Sequence, residues 1–241
     1  MQLLVSVRTA AEAHDACAGG ADVIDAKDPS AGALGAVSID DLRLIVAAVA
    51  GSRMVTAALG DAGDAAAVES AARQFAAAGA ALVKIGFAQV TSQRRVSALI
   101  AAAVRGAKSG SDRAGVVAVA YADHAQAASV HPDMLLDAAI ASGAAGVLLD
   151  TADKEGPGAC ALLPLATRAA WARRAHAAGL LVAMAGRLTE ADLPLVRDAG
   201  ADVAGVRGAA CDGGRGGRVS LERVRRLAAR CASLAAPAAV I

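Results

Sequence analysis

The chain carries twenty arginines but only four lysines: Lys27, Lys84, Lys108 and Lys154. Three of the four follow short β-like runs. In Val23-Ile24-Asp25-Ala26-Lys27 the side chains of a strand alternate, so Val23, Asp25 and Lys27 share one face and Ile24 takes the other. Lys84 ends the run Leu82-Val83-Lys84, and Asp150 ends a run at 146–150, with Lys154 shortly beyond it. Arginine keeps its proton in a protein, whereas a lysine crowded by other cations can lose it. A neutral amine can attack a carbonyl carbon or take a proton from carbon. Lysine retained where arginine is otherwise the default cation therefore points to amine chemistry at a carbonyl. The same placement also fits lysines that merely pair with Asp25 and Asp150, and the residue pattern leaves both readings open. Lys108 falls in a polar stretch, 106–113, that reads as a solvated loop.

A second group suits an anion. Gly186-Arg187 follows one β-like run. Gly208 follows another and leads into Gly213-Gly214-Arg215-Gly216-Gly217-Arg218. Bare glycine amides and a helix start can cradle a phosphate, with Arg187, Arg215 and Arg218 adding charge; a mobile surface loop is the plain alternative. The candidate phosphate ligands are Gly186, Arg187, Gly208, Gly213 and Gly214. Asp123-His124 offers an acid–base pair of weaker standing. Asp25, Asp61 and Asp150 are the residues a divalent ion would use, but no histidine cluster accompanies them and nearby lysines repel a cation. Neither a metal nor a cofactor is expected.

These groups must be positioned by repeated elements. Gly20, Gly79, Gly143 and Gly200 each follow an alanine-rich helical pattern and precede a β-like run, at spacings of 59, 64 and 57. A βα unit takes about 30 residues, so each spacing holds two units and the chain holds eight. The strands fall near 3–7, 22–26, 54–58, 82–85, 116–120, 146–150, 180–184 and 202–206. Thr9 with Glu12 reads as a capping box, and Ser38 with Asp41 and Thr189 with Asp192 as looser ones. A final amphipathic helix covers 221–234. The expected architecture is α/β, a single (β/α)8 TIM barrel over residues 1–241. A doubly wound open sheet fits less well, because the period runs the whole length. In a barrel, the catalytic groups lie where strands end.

Composition removes other classes. The 24 basic and 23 acidic residues give a net charge of +1, and Phe75, Phe87, Tyr121 and Trp171 are the only aromatics. A nucleic-acid binder would carry a basic excess or a stacking platform. No apolar run approaches the ~20 residues of a membrane span, and the apolar fraction of 56% is mostly small core alanine. Cys17, Cys160, Cys211 and Cys231 form neither a CxxC pair nor a zinc pattern, which fits thiols in a reducing cytoplasm. A cytoplasmic protein with a small phosphorylated substrate is expected, with no nucleic-acid or membrane partner and with self-assembly left open.

Taken together, the motifs resemble a known family. Residues 3–7, the run Gly19-Gly20-Ala21-Asp22-Val23-Ile24-Asp25-Ala26-Lys27-Asp28-Pro29, and Gly32-Ala33-Leu34-Gly35 carry the likeness at the start. Thr56-Ala57-Ala58-Leu59-Gly60-Asp61, Val83-Lys84-Ile85-Gly86-Phe87 and Tyr121-Ala122-Asp123 continue it. Leu149-Asp150-Thr151-Ala152-Asp153-Lys154 and Arg207-Gly208-Ala209-Ala210-Cys211 complete it, in order along nearly the whole chain. The family is (5-formylfuran-3-yl)methyl phosphate synthase, also called 4-(hydroxymethyl)-2-furancarboxaldehyde-phosphate synthase.

The resemblance implies a class I aldolase-like barrel that is a carbon–oxygen lyase acting on phosphates. It would join two molecules of glyceraldehyde 3-phosphate into a phosphorylated furan aldehyde, releasing phosphate and water, on the route to methanofuran or methylofuran. It further implies Lys27 as the Schiff-base lysine, Lys84 as a proton acceptor, and Asp25, Asp150 and Lys154 as the rest of the site. The competing expectations are another Schiff-base aldolase or lyase on a small sugar phosphate, a non-covalent isomerase using Asp25 and Asp150, and a non-catalytic phosphometabolite-binding barrel.

Overall fold

The computed structural model describes residues 1–234; residues 235–241 of the expected barrel domain lie outside the described part. Eight parallel strands close into a barrel in chain order: β1 (Gln2–Val7), β2 (Val23–Ala26), β3 (Met54–Asp61), β4 (Leu82–Gly86), β5 (Gly115–Tyr121), β6 (Gly146–Asp150), β7 (Leu181–Met184) and β8 (Val203–Val206). Pairing of β1 with β8, from Gln2 opposite Val203 to Val5 opposite Val206, closes the circle and leaves no sheet edge. The helices are α1 (Ala10–Ala18), α2 (Ile39–Val49), α3 (Ala65–Ala77), α4 (Gln93–Gly110), α5 (Pro132–Ala141), α6 (Ala159–Leu162), α7 (Leu165–Ala177), α8 (Leu193–Asp198) and α9 (Leu221–Ser233). After β8 a short antiparallel hairpin, β9 (Cys211–Asp212) and β10 (Arg218–Val219), precedes α9.

Period-two alternation splits the apolar residues into two cores. Val5, Val7, Ile24, Ala26, Val83, Ile85, Val147 and Leu149 face the helices and join the larger core. Val117, Val119, Leu148, Ala183 and Val203 point into the bore and form the smaller one. Helix faces match: α2 buries Leu42, Ile45 and Val49, and α4 buries Val96, Leu99, Ile100, Ala103 and Ala107. The four repeat glycines all adopt positive φ, at 93°, 108°, 72° and 84° for Gly20, Gly79, Gly143 and Gly200. Each turns the chain out of a helix in the conformation that favours glycine, which is why the spacing repeats.

Three expectations change. The stretch at 106–113 is a loop only from Ser111 onward: α4 continues to Gly110, and Lys108 lies in its last turn. A side chain at Gly106 or Gly110 would collide with the Glu69 or Arg73 carbonyl, so these glycines let α4 press on α3. That packing outweighs their low helix propensity. β3 runs on to Asp61, with its pairing to β4 shifted between Ala58 and Asp61. The box at Thr9 is incomplete: Thr9 Oγ1 accepts the Glu12 N–H at 3.3 Å, but the Glu12 carboxylate takes the N–H of Arg8, at 2.8 Å, and turns toward Arg207. Among the described residues no helix is long and apolar enough to cross a membrane.

Candidate active site

The alternation that buries Ile24 outward turns Asp25 inward, and the next inward position is Lys27. The Lys27 N–H donates to Val7 O at 2.9 Å, so its backbone still follows the β1–β2 ladder. On β4 the same logic turns Lys84 inward between Val83 and Ile85. On β6 it turns Asp150 inward. Lys27, Lys84, Lys154, Asp25 and Asp150 all line one cavity of about 520 Å³ that runs along the barrel bore, from Gln2 and Met54 at strand starts to Gly186 and Gly208 beyond strand ends. Asp25 is fully buried, and Lys27, Lys84 and Asp150 are nearly so.

Asp25 is held from three sides. Lys84 Nζ lies 2.5 Å from Oδ2, Ser6 Oγ donates to Oδ2 at 2.9 Å, and Thr56 Oγ1 donates to Oδ1 at 2.8 Å. Asp150 is held by Lys154 Nζ at 2.7 Å and by the N–H of Thr151 at 2.7 Å. Lys154 Nζ also donates to Thr151 O at 2.5 Å. Burial alone would raise the Asp150 carboxyl, but Lys154 and Lys27 outweigh it and hold it below the ordinary range.

Lys27 differs from its neighbours. Lys84 and Lys154 each sit on a carboxylate. Among the described residues Lys27 Nζ has no such partner, and it faces the cavity. Burial, joined by repulsion from Lys84 and Lys154, lowers its ammonium to about 8 against attraction from Asp150 and Asp25. Roughly a tenth of a lysine at that value is neutral at pH 7, compared with about one in three thousand at the ordinary value. The arrangement provides an accessible amine flanked by two amine–carboxylate pairs, a set suited to attack on a carbonyl and to proton transfers around it.

The anion-binding candidates divide. Gly186, Arg187 and Gly208 line the cavity, and so does Arg215. Gly213 and Gly214, with φ of 80° and 76°, belong to the turn of the β9–β10 hairpin and do not line it. The glycine-rich stretch folds as a hairpin that presents Arg215 instead. Arg187 itself has φ of 59°, a rare conformation for a residue with a side chain.

The other candidates are engaged elsewhere. Asp61 accepts the Tyr121 hydroxyl at 2.6 Å and the Ala88 N–H at 2.9 Å, away from Asp25 and Asp150. Burial, with Asp61 beside it, pushes the Tyr121 hydroxyl well above its ordinary value. Asp123 accepts backbone N–H groups and does not line the cavity. Among the described residues no cluster of His, Cys, Asp and Glu is placed to hold a metal ion. Ser6 and Thr56 were missed as site residues. Their signal is a polar side chain at an inward position of an otherwise apolar strand.

A family model described as 4-HFC-P synthase matches residues 3–228. The (5-formylfuran-3-yl)methyl phosphate synthase of Methanosarcina mazei is 34% identical over 235 residues, covering 96% of this chain and 99% of that protein. The protein of the same name from Methanocaldococcus jannaschii is 34% identical over 234 residues, covering 96% of this chain and 100% of its own length. Among solved structures, 3-hexulose-6-phosphate synthase superimposes with a TM-score of 0.62 at 22% identity, covering 94% of this chain and 99% of that one. Phosphoribosyl anthranilate isomerase from Thermus thermophilus does so at 0.64 and 16%, covering 97% and 100%. These two likenesses concern the barrel fold alone.

Proposed function

This chain belongs to the 4-HFC-P synthase family, and on that premise we propose that it condenses two molecules of glyceraldehyde 3-phosphate into (5-formylfuran-3-yl)methyl phosphate, with loss of phosphate and water. The product would feed the synthesis of a methanofuran-type cofactor. The observation that carries the reading is the lone amine of Lys27 between the Lys84–Asp25 and Lys154–Asp150 pairs.

In this reading neutral Lys27 attacks the carbonyl carbon of one triose phosphate, and water leaves as the iminium forms. The iminium acidifies the adjacent C–H. Lys84 takes that proton once its own has passed to Asp25, a transfer that the 2.5 Å contact makes short. The resulting enamine carbon attacks the aldehyde of the second molecule. Lys154 and Asp150 then exchange protons with the oxygens involved in phosphate elimination, ring closure and dehydration, and water added back to the iminium carbon frees the aldehyde and regenerates Lys27. The phosphates would rest against Gly186, Arg187 and Gly208.

Borohydride reduction in the presence of glyceraldehyde 3-phosphate tests this. A mass increment on the peptide containing Lys27 is expected, together with a furan chromophore from that substrate alone. An adduct that persists in Lys27→Ala, or turnover without an adduct, would overturn the assignment.

A further inference from the structure

Among the described residues, one buried ion pair lies outside the amine cluster. Arg207, the residue after β8, places Nη1 2.6 Å from Glu12 Oε2 and Nη2 3.0 Å from Glu12 Oε1. Both side chains are almost completely buried. Burial alone would raise the Glu12 carboxyl, but Arg207 and the N–H groups of Arg8 and Val219 hold it below its ordinary value. Arg207 lines the cavity, yet its charge is paired with Glu12 and with none of the amine cluster. Desolvating two such charges calls for a reason, since a buried pair is weak as a source of stability.

The rest of the Arg207 fork supplies one. Nη1 donates to Ser6 O at 2.9 Å, Nη2 to Gly217 O at 2.7 Å and Nε to Arg215 O at 3.2 Å. Ser6 is on β1 and lines the cavity, and its hydroxyl holds Asp25. Arg215 and Gly217 belong to the β9–β10 hairpin. Arg207 therefore ties the hairpin backbone to the strand that carries an Asp25 contact. From that fixed backbone the Arg215 side chain reaches across the mouth, donating to Pro29 O and, at 2.6 Å, to Gly32 O in the loop after Lys27. Arg215 also lines the cavity, and its guanidinium keeps N–H donors that these two carbonyls do not use.

We propose that Arg207, clamped by Glu12, is a positioning residue that sets the hairpin so that Arg215 spans the β2 and β8 loops and grips the phosphate of the triose bound at Lys27. This rests on the triose-phosphate reading above. A planar fork is the group for the task, because it can hold loop carbonyls and a phosphate oxygen together. Lysine at 207 would keep the charge on Glu12 but could not hold Ser6, Arg215 and Gly217 at once.

The test measures Lys27 trapping and turnover for Arg207→Lys, Glu12→Gln and Arg215→Met, using glyceraldehyde 3-phosphate, unphosphorylated glyceraldehyde, and inorganic phosphate as competitor. Arg207→Lys and Arg215→Met should raise KM for the phosphorylated triose about tenfold to a hundredfold, the worth of one or two charge-assisted hydrogen bonds. The change in kcat should be much smaller. Preference for the phosphorylated over the unphosphorylated triose should fall, and inhibition by phosphate should weaken in parallel. Glu12→Gln should move the same quantities less. If the variants keep the wild-type preference and phosphate inhibition, the proposal is wrong. Should the two buried substitutions fail to fold, Arg215→Met still decides, since retained preference there overturns it. Failure of the wild-type chain to trap any triose would instead sink the underlying functional reading.

Discussion

Asp123, two residues past β5, accepts the N–H of Ala152 at 2.8 Å with one carboxylate oxygen, while its other oxygen takes the N–H of Asp153 at 2.8 Å. The two bonds pin the start of the β6–α6 loop, and that loop ends its first turn on Lys154. The Lys154–Asp150 contact thus depends on a carboxylate from a neighbouring strand end that never touches the cavity.

Asp123→Ala should therefore lower turnover without altering which lysine forms the adduct. Removing an acceptor that satisfies two backbone N–H groups costs about 1–3 kcal/mol. A fall in kcat of about tenfold is expected, with the Lys27 adduct still present by mass spectrometry. A variant as active as the parent would show that the loop holds Lys154 unaided.

The pH dependence of Lys27 should respond to its neighbours with opposite signs. The trapping rate needs the neutral amine, so it should rise with pH to a midpoint of about 8. Lys84→Met removes a cation and leaves the Asp25 charge unpaired. Both changes favour protonated Lys27, so the midpoint should move up by about one unit. Asp150→Asn removes an anion beside Lys27 and leaves Lys154 unpaired, so the midpoint should move down. Rate–pH profiles of the trapping step give both values. Shifts in the same direction would contradict the charge arrangement.

The parts of the site legible in the sequence are those governed by strand alternation. Asp25 and Lys27 on one face, Lys84 at the end of β4 and Asp150 at the end of β6 follow from a period of two and from the rule that barrels do chemistry at strand ends. The Glu12–Arg207 pair was not legible, because its members are 195 residues apart and meet only when β8 closes on β1. Gly213 and Gly214 drew attention as bare amides, but a glycine run also makes a hairpin turn, and periodicity does not say which way the hairpin faces. Asp123 and Asp61 look like acids next to strands. Whether such a carboxylate faces a substrate or a neighbouring N–H depends on loop paths that local pattern does not contain.

Gly86 ends β4 where a side chain would meet the Tyr121 hydroxyl, the Asp61 carboxylate and, at 2.6 Å, the tip of Leu34. Those three groups come from β5, β3 and the loop after Lys27. Gly86→Ala should disrupt the Tyr121–Asp61 hydrogen bond and push the loop outward, at an overpacking cost of about 1–3 kcal/mol. For a chain of this size that corresponds to a fall in Tm of roughly 2–12 °C. Thermal unfolding followed by circular dichroism reads it. An unchanged Tm would mean that the three groups can give way.

The Lys27 ammonium should also cost stability. Its folded value of about 8 is depressed from 10.5. A depressed group contributes stability that is present above the unfolded value and lost as pH falls through the folded one. The lysine thus disfavours the folded state at pH 7 by about 3 kcal/mol relative to its neutral form. Lys27→Met keeps most of the buried volume, removes that charge, and leaves Lys84 with Asp25 and Lys154 with Asp150. The variant should be inactive yet melt higher than the parent at pH 7, and its advantage should shrink between pH 8 and 10.5 as the parent's lysine loses its proton on folding. A variant that melts lower at pH 7, or an advantage that grows with pH, would show that Asp25 and Asp150 stabilise the ammonium more than burial opposes it.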